Sequence, residues 1–443
     1  MKYSQFNSVV PYEDQYAIYN AYENKVIFIE RDLKDLLEAA IHEGIDNLEE
    51  YHPDFYYHLR GNNFLIEESI DELNKVEQRV KEVDENDEIF VLTINPTMNC
   101  NFKCWYCYET HVKNSKLQTS MMNSIKLFMT KKIQHEKLKT FTLALFGGEP
   151  LLYFKRDVVP IIDHLLLECK KYDKEFIITF TTNGYLVDDN FINYFVSRNI
   201  MCHLQISFDG FRDDHDNVRY VSKEKGSYFT IVQNIKSLLK YENFKVKARL
   251  NYTKDNISNI SMVATDFEDI SEYSFMNQLT FDYHRVWQDD AMDGIAEIAK
   301  EEKDKIVEKG FMAHTSYAPN NVLDSCYADK RNSVVINYNG DIYKCTAKDY
   351  KKENREGFLN GHGDLIWEND FLERRMASKF KNKPCLSCRL IPICNGGCSQ
   401  HALEFLSMEK EYCVYHGDEQ EKNKVVEEKI REILINNTPM VEN

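Results

Sequence analysis

Residues 95–109 read NPTMNCNFKCWYCYE and follow directly on the apolar run Ile89-Phe-Val-Leu-Thr-Ile94. Cys100, Cys104 and Cys107 therefore stand at C-x3-C-x2-C just past a short hydrophobic segment. Three closely spaced thiolates can bind three corners of a [4Fe–4S] cube and leave the fourth iron without a protein ligand. An open iron can bind and activate a substrate, whereas a fully ligated cluster only passes electrons. Two other readings of the spacing are buried free thiols and a zinc knuckle. The latter needs a fourth Cys or His, for which His111 is the candidate in reach.

Outward from this loop, strand and helix patterns alternate from Ile89 to about Val286. The strand candidates are Ile89–Asn95, Thr140–Phe146, Phe176–Thr182, Cys202–Phe208, Lys245–Asn251 and Leu279–Val286. Helical patterns lie between them, as in Val158–Lys170 and Tyr228–Tyr241. Six such units predict an α/β fold, a partial and open (β/α)6 TIM-like barrel. Strands covered on both faces should be apolar throughout. Here one parity turns polar towards the C-terminal ends, at Thr181 and Asn183, Gln205 and Ser207, Arg249 and Asn251, Asp282 and His284. Side chains alternate faces along a strand, so these groups should point together into the barrel. Buried polar groups need partners, so a polar ligand is expected at that end. Cys169 and Cys202 fall on apolar positions and read as small buried hydrophobes.

The chain has 443 residues, 43% hydrophobic and 13% aromatic, enough for a large core in two or three domains. No apolar run approaches the roughly 20 residues needed to cross a bilayer. The first residues carry no signal-peptide pattern, so the expected location is the cytoplasm and no membrane partner is expected. A net charge of −17 argues against nucleic acid as a partner. Twelve cysteines concentrated in two regions point to metal ligation rather than disulfides.

The three-cysteine loop, with Tyr106 before its last cysteine, resembles the signature of the radical S-adenosylmethionine (SAM) enzymes. Gly147, Gly148 and Glu149, in the Phe146-Gly-Gly-Glu-Pro150 loop after the second strand, resemble the motif that holds SAM's methionine amino group in that family. The resemblance implies SAM contacts from Tyr106, Gly147, Gly148, Glu149, Asn183, Ser207, Arg219 and Asn251, with Ser207 and Arg219 near the ribose and carboxylate. Asp209-Gly210 reads equally as an ordinary turn.

Past a charged bridging helix (residues 291–310), a second constellation follows. Cys326 is followed by Gly340 and Cys345, then by Cys385-x2-Cys388-x5-Cys394-x3-Cys398 and by Cys413. This order resembles the SPASM extension of radical SAM enzymes, which holds two auxiliary [4Fe–4S] clusters and brings the implied total to three. By that resemblance Cys385, Cys388, Cys394 and Cys413 close one cluster, while Cys326, Cys345 and Cys398 hold the other, one ligand short. Asp324 or a substrate thiolate is a candidate for the missing position. Anaerobic sulfatase maturases carry an aspartate after the Gly-x4-Cys cysteine, where this chain has Thr346.

Residues 1–88 read as a winged-helix-like domain. Two strands, Gln15–Asn20 and Lys25–Glu30, are followed by a helix capped by Asp32 with Leu33, Leu36, Leu37, Ala40 and Ile41 on one face. A wing strand at Asn63–Ile66 and an acidic helix from Glu67 to about Val83 complete it. It resembles the leader-recognition domain of peptide-modifying radical SAM enzymes, which binds an extended leader as an added strand. The expected organisation is thus 1–88 for leader recognition, 89–310 for the radical SAM barrel and 311–443 for the SPASM domain. The resemblance implies reductive cleavage of SAM to a 5′-deoxyadenosyl radical and a C–S (thioether) or C–C crosslink in a ribosomally made precursor peptide. A flavodoxin- or ferredoxin-type reductant would supply electrons. Formylglycine formation on a sulfatase is the enzymatic alternative, and a multi-cluster electron carrier is the alternative of another class.

Overall fold

In a computed structural model of the chain, the described residues are 1–222, 225–290, 292–315 and 325–437. Ala291 and Asp324 lie outside them. Two compact units are present. The larger comprises residues 87–315 and 332–369, and the smaller residues 1–86, 325–331 and 370–437.

The larger unit is built on an eleven-stranded sheet. Six parallel strands run in chain order, each beside its sequence neighbour: Ile89–Asn95, Thr140–Leu145, Glu175–Thr182, Cys202–Phe208, Phe244–Tyr252 and Leu279–Arg285. This order belongs to a wall that curls in one direction, and its two edges do not pair with each other. One parity of these strands (Leu92, Leu143, Phe180, Ile206, Leu250, Phe281) is fully buried beneath the helices. Burial of each such side chain contributes roughly 1.5–3 kcal/mol. Cys169 and Cys202 belong to this core. The opposite parity carries the polar groups anticipated from the sequence.

Five strands extend the sheet beyond the six. Met312–Thr315 adds in parallel at one edge. Ser333–Asn337 pairs in parallel with the first strand, matching Asn337 with Asn95, and three short antiparallel strands follow it. The bridging helix spans Ile295–Glu308.

In the smaller unit, Asn7–Tyr12, Gln15–Asn20 and Lys25–Ile29 form an antiparallel sheet. The helix Arg31–Glu43 starts at Glu30 with no side-chain cap, so Asp32 sits in the first turn rather than capping, and Ile41 is exposed. The expected wing is a two-residue strand, Leu65–Ile66, paired with Lys2–Tyr3 instead of with the hairpin. The helix Glu72–Asp84 is capped by Asp71, whose side chain accepts from the Asn74 amide.

The compact units cut across the division at 88 and 310, for a packing reason. Val10, Ala17, Tyr19, Val76 and Val80 share a core with Leu390, Ile393, Val426 and Ile430, so the last cysteine-bearing stretch packs within the N-terminal unit. The ladder to Asn95 draws 332–369 into the other. Among the described residues, no helix is long and apolar enough to cross a membrane.

Candidate functional site

The cysteine loop lies over the C-terminal ends of the barrel strands and lines a cavity of about 180 Å³. Cys100, Cys104 and Cys107 face it with Tyr106, Gly147, Gly148, Asn183, Ser207, Arg219 and Asn251. The structure thus brings together every expected contact residue but Glu149. Arg249, expected on the inward face, lines the wall too, as do Glu109, Trp287 and Gln288, which the sequence did not single out.

Glu149 has a different place. It is fully buried, and its Oε1 accepts from Thr182 Oγ1 (2.7 Å) and the Leu151 amide (2.9 Å). Its Oε2 accepts from the Asn183 amide at 2.8 Å. A carboxylate engaged by three protein donors holds its loop against the next strand, and of its roughly four acceptor sites three are taken. The glycines before it approach the cysteine loop closely, with φ of +73° at Gly147 and +28° at Gly148. A Cβ on Gly148 would lie 2.3 Å from the Asn99 carbonyl oxygen, and one on Gly147 would lie 2.6 Å from Asn95 Cβ. Only glycine fits.

Behind the loop, Tyr106 is the hub of a polar network. Its hydroxyl donates to Asp209 Oδ1 (2.5 Å) and accepts from Arg219 Nη2 (2.7 Å) and Asn251 Nδ2 (3.1 Å). Arg219 Nε is also bonded to Asp209, so the expected carboxylate binder already has a carboxylate partner. Asp209 is buried, with no turn-only role. The Thr110 amide and hydroxyl both donate to Asp349, at 2.9 and 2.8 Å, which fastens the cysteine loop to the segment following Cys345. Asp282 and His284, 2.9 Å apart, sit on the sixth strand and do not line the cavity.

The donor set fits an iron–sulfur group and a polar ligand on two counts. Three thiols face one cavity, and burial, which pushes Cys100 up to about 12 and Cys107 to about 11 and also raises Cys104, is a cost that a bound cation must offset to deprotonate them. Buried polar atoms of Asn95, Asn101, Glu109 and Gln288 have no protein partner, and such atoms are costly unless a ligand satisfies them. Burial raises the Glu109 carboxyl to about 7, although its Oε2 accepts from the Gly148 amide at 2.8 Å. His111 Nε2 lies 3.5 Å from Cys107 Sγ, and burial lowers the pKa of its imidazole.

A second thiol group lies in the smaller unit. Burial raises Cys394 to about 12, and the neighbouring Cys385, Cys388 and Cys413 raise it further, which marks four thiols gathered in one place. Cys385 and Cys388 pack on the core of that unit. The left-handed run Asn395-Gly396-Gly397 turns the chain sharply after Cys394, and a Cβ on Gly397 would strike the Tyr412 ring at 2.9 Å. Cys326 and Cys398 lie in the smaller unit and Cys345 in the larger. The segments bearing Cys326 and Cys398 are tied by a buried charge network. Lys379 Nζ bridges Asp84 (2.7 Å) and Asp329 (3.1 Å), Ser325 donates to Asp84, and Ser399 bonds Asp329.

Residues 94–258 match the family model described as the radical SAM superfamily. A cysteine-type anaerobic sulfatase-maturating enzyme of Clostridium novyi is 31% identical over 153 residues, covering 32% of this chain and 38% of that protein, well under two thirds of its length. Among solved structures, anSMEcpe with bound AdoMet superposes with a TM-score of 0.57 at 17% identity over 79% of this chain and 98% of that one. Streptococcus suis SuiB bound to precursor peptide SuiA gives a TM-score of 0.53 at 17% identity over 93% and 98%. At such identities these two likenesses speak for the fold.

Proposed function

We propose, from the premise that this chain carries a radical SAM domain, that it is a peptide-modifying enzyme of the SPASM type. Its substrate would be a ribosomally made precursor peptide, and its product a C–S or C–C crosslink within it. The observation that carries this reading is the cavity itself: three thiols, two close-approach glycines and the unpartnered buried oxygens of Glu109 and Gln288 converge at the C-terminal ends of the strands. When bound, a [4Fe–4S] cluster and SAM supply reductive cleavage of the sulfonium and abstraction of a hydrogen atom from carbon.

In this reading Cys100, Cys104 and Cys107 hold the cluster. Gly147 and Gly148 let the backbone approach SAM, while Glu149 keeps their loop in place through Thr182 and the Asn183 amide. The Tyr106–Asp209–Arg219–Asn251 network fixes the loop from behind, so that the reacting groups are positioned before the chemistry begins. Cys385, Cys388, Cys394 and Cys413 would hold one auxiliary cluster, and Cys326, Cys345 and Cys398 a second. The N-terminal unit would receive the leader of the peptide. SuiB, whose fold this chain shares, was solved with a precursor peptide bound, which supports that assignment.

The local identity to a sulfatase-maturating enzyme supports formylglycine formation as a second reading. One experiment separates them. Anaerobically reconstituted protein is incubated with SAM, a low-potential reductant and either a candidate precursor peptide taken from a short adjacent reading frame or a cysteine-containing sulfatase peptide. The proposal requires 5′-deoxyadenosine together with loss of two hydrogens from the precursor. Formylglycine on the sulfatase peptide with the precursor unchanged would replace it, and absence of 5′-deoxyadenosine would leave the electron-carrier reading.

A further inference from the structure

The barrel wall that faces away from the helices carries a charge opposite to that of the chain. On the strand Phe244–Tyr252, Val246, Ala248 and Leu250 are buried in the core, so Lys245, Lys247 and Arg249 occupy the other face, where Arg249 lines the cavity. Ladder pairing puts Arg249 beside Ser207 and Asp282, Asp282 beside His314, and Asn251 beside His284. Over the four strands from Cys202 to Thr315, Asp282 is the one carboxylate on this face among the described residues. It is already shared by His284 at 2.9 Å and Lys247 at 3.6 Å. This occurs in a protein with a net charge of −17.

Arg249 is the telling member. Its Nε donates to Asn251 Oδ1 at 2.9 Å, and among the described residues its guanidinium has no ion-pair partner within 4 Å. Burial disfavours its charge. The nearest carboxylate that favours its charge, Asp282, is already shared with His284 and Lys247. A desolvated cation so weakly compensated is costly, and a guanidinium fork matches a carboxylate in shape and in donors. Lys247 and Lys245 continue the line down the same strand at alternate positions, roughly 6–7 Å apart, the spacing of every second side chain in an extended peptide.

We propose that this strip binds an acidic segment of the peptide substrate, with carboxylates at alternate residues paired to Arg249, Lys247 and Lys245. The inference rests on the peptide reading above and adds a preference that reading does not contain. The test uses the full-length chain and rhodamine-labelled (Gly-Glu)4 and (Gly-Gln)4 peptides, with fluorescence anisotropy at low salt. The acidic probe should bind at least about tenfold more tightly, and added salt should erase the difference. Arg249→Gln should weaken the acidic probe alone. Lys245→Glu/Lys247→Glu, at exposed positions and with folding verified by thermal melting because Lys247 also faces Asp282, should transfer the preference to a (Gly-Lys)4 probe. Equal binding of the acidic and neutral probes would overturn the proposal. So would displacement of the acidic probe by SAM combined with insensitivity to the lysine changes, because Arg249 would then serve the cofactor's own carboxylate. The readout is equilibrium binding, so its failure leaves SAM cleavage and peptide modification to be judged separately.

Discussion

The two thiol groups, one in each unit, are alike in sequence style and opposite in surroundings. Cys100, Cys104 and Cys107 line an aqueous cavity whose walls hold unpartnered amide and carboxyl atoms. Cys385, Cys388, Cys394 and Cys413 are four, and two of them pack against an aliphatic core. A ligand set that is one short beside unsatisfied polar atoms invites a reacting molecule. A complete set in an apolar bed holds its metal and admits nothing else. On the proposed reading, the contrast would give chemistry to the first site and electron storage or support to the second.

Breaking the first site should have the largest effect. Replacing Cys100, Cys104 and Cys107 together by Ala should reduce 5′-deoxyadenosine formation to background while iron at the other thiols persists. Iron analysis beside product assay checks both, and retained cleavage would erase the contrast. The smaller unit, whose segments bearing Cys326 and Cys398 are joined by buried charges, should fail through stability instead. Lys379→Met leaves Asp84 and Asp329 as buried carboxylates without their cation and should cost about 3–5 kcal/mol in urea unfolding. Burial already raises Asp84 against the pull of Lys379. An unchanged midpoint would remove the charge network from the account.

Smaller changes sharpen the comparison. Gly148→Ala must place a Cβ 2.3 Å from the Asn99 carbonyl at φ +28°, a strain of about 1–3 kcal/mol. Its expected readout is weaker SAM binding by isothermal calorimetry with little change in iron content. Tyr106→Phe removes one hydroxyl from the Asp209–Arg219–Asn251 network without altering ring packing. A loss of about 1–2 kcal/mol in unfolding free energy is expected, since the hydroxyl's partners include two charged groups.

Much of this was legible from residue order because two independent periodicities agreed. The apolar parity of the six strands fixed the core face, and the polar parity at Thr181, Gln205, Ser207, Arg249 and Asn251 marked the cavity end. What escaped was set by tertiary pairing. Asn7–Tyr12 contains Pro11, which speaks against a strand but is tolerated at a sheet edge. Met312–Thr315 is four residues long and gains its place only by pairing with the sixth strand. The donors that Glu149 meets, Thr182 and the Asn183 amide, stand more than thirty residues away in sequence and are not readable from its own motif. Asp209 reads as a turn until Arg219 and Tyr106 close on it. Glu109, two residues past the last cysteine of the loop, could have been noticed as the acid nearest the thiols.

The central claim is that the Cys100–Cys107 loop holds a cluster with one iron open to SAM. Electron paramagnetic resonance of the anaerobically reconstituted, reduced protein tests it directly. The account predicts that adding SAM changes the signal of the cluster bound by Cys100, Cys104 and Cys107, and that this change is absent from the triple Ala variant. A spectrum identical with and without SAM, from protein carrying its full iron complement, would contradict it.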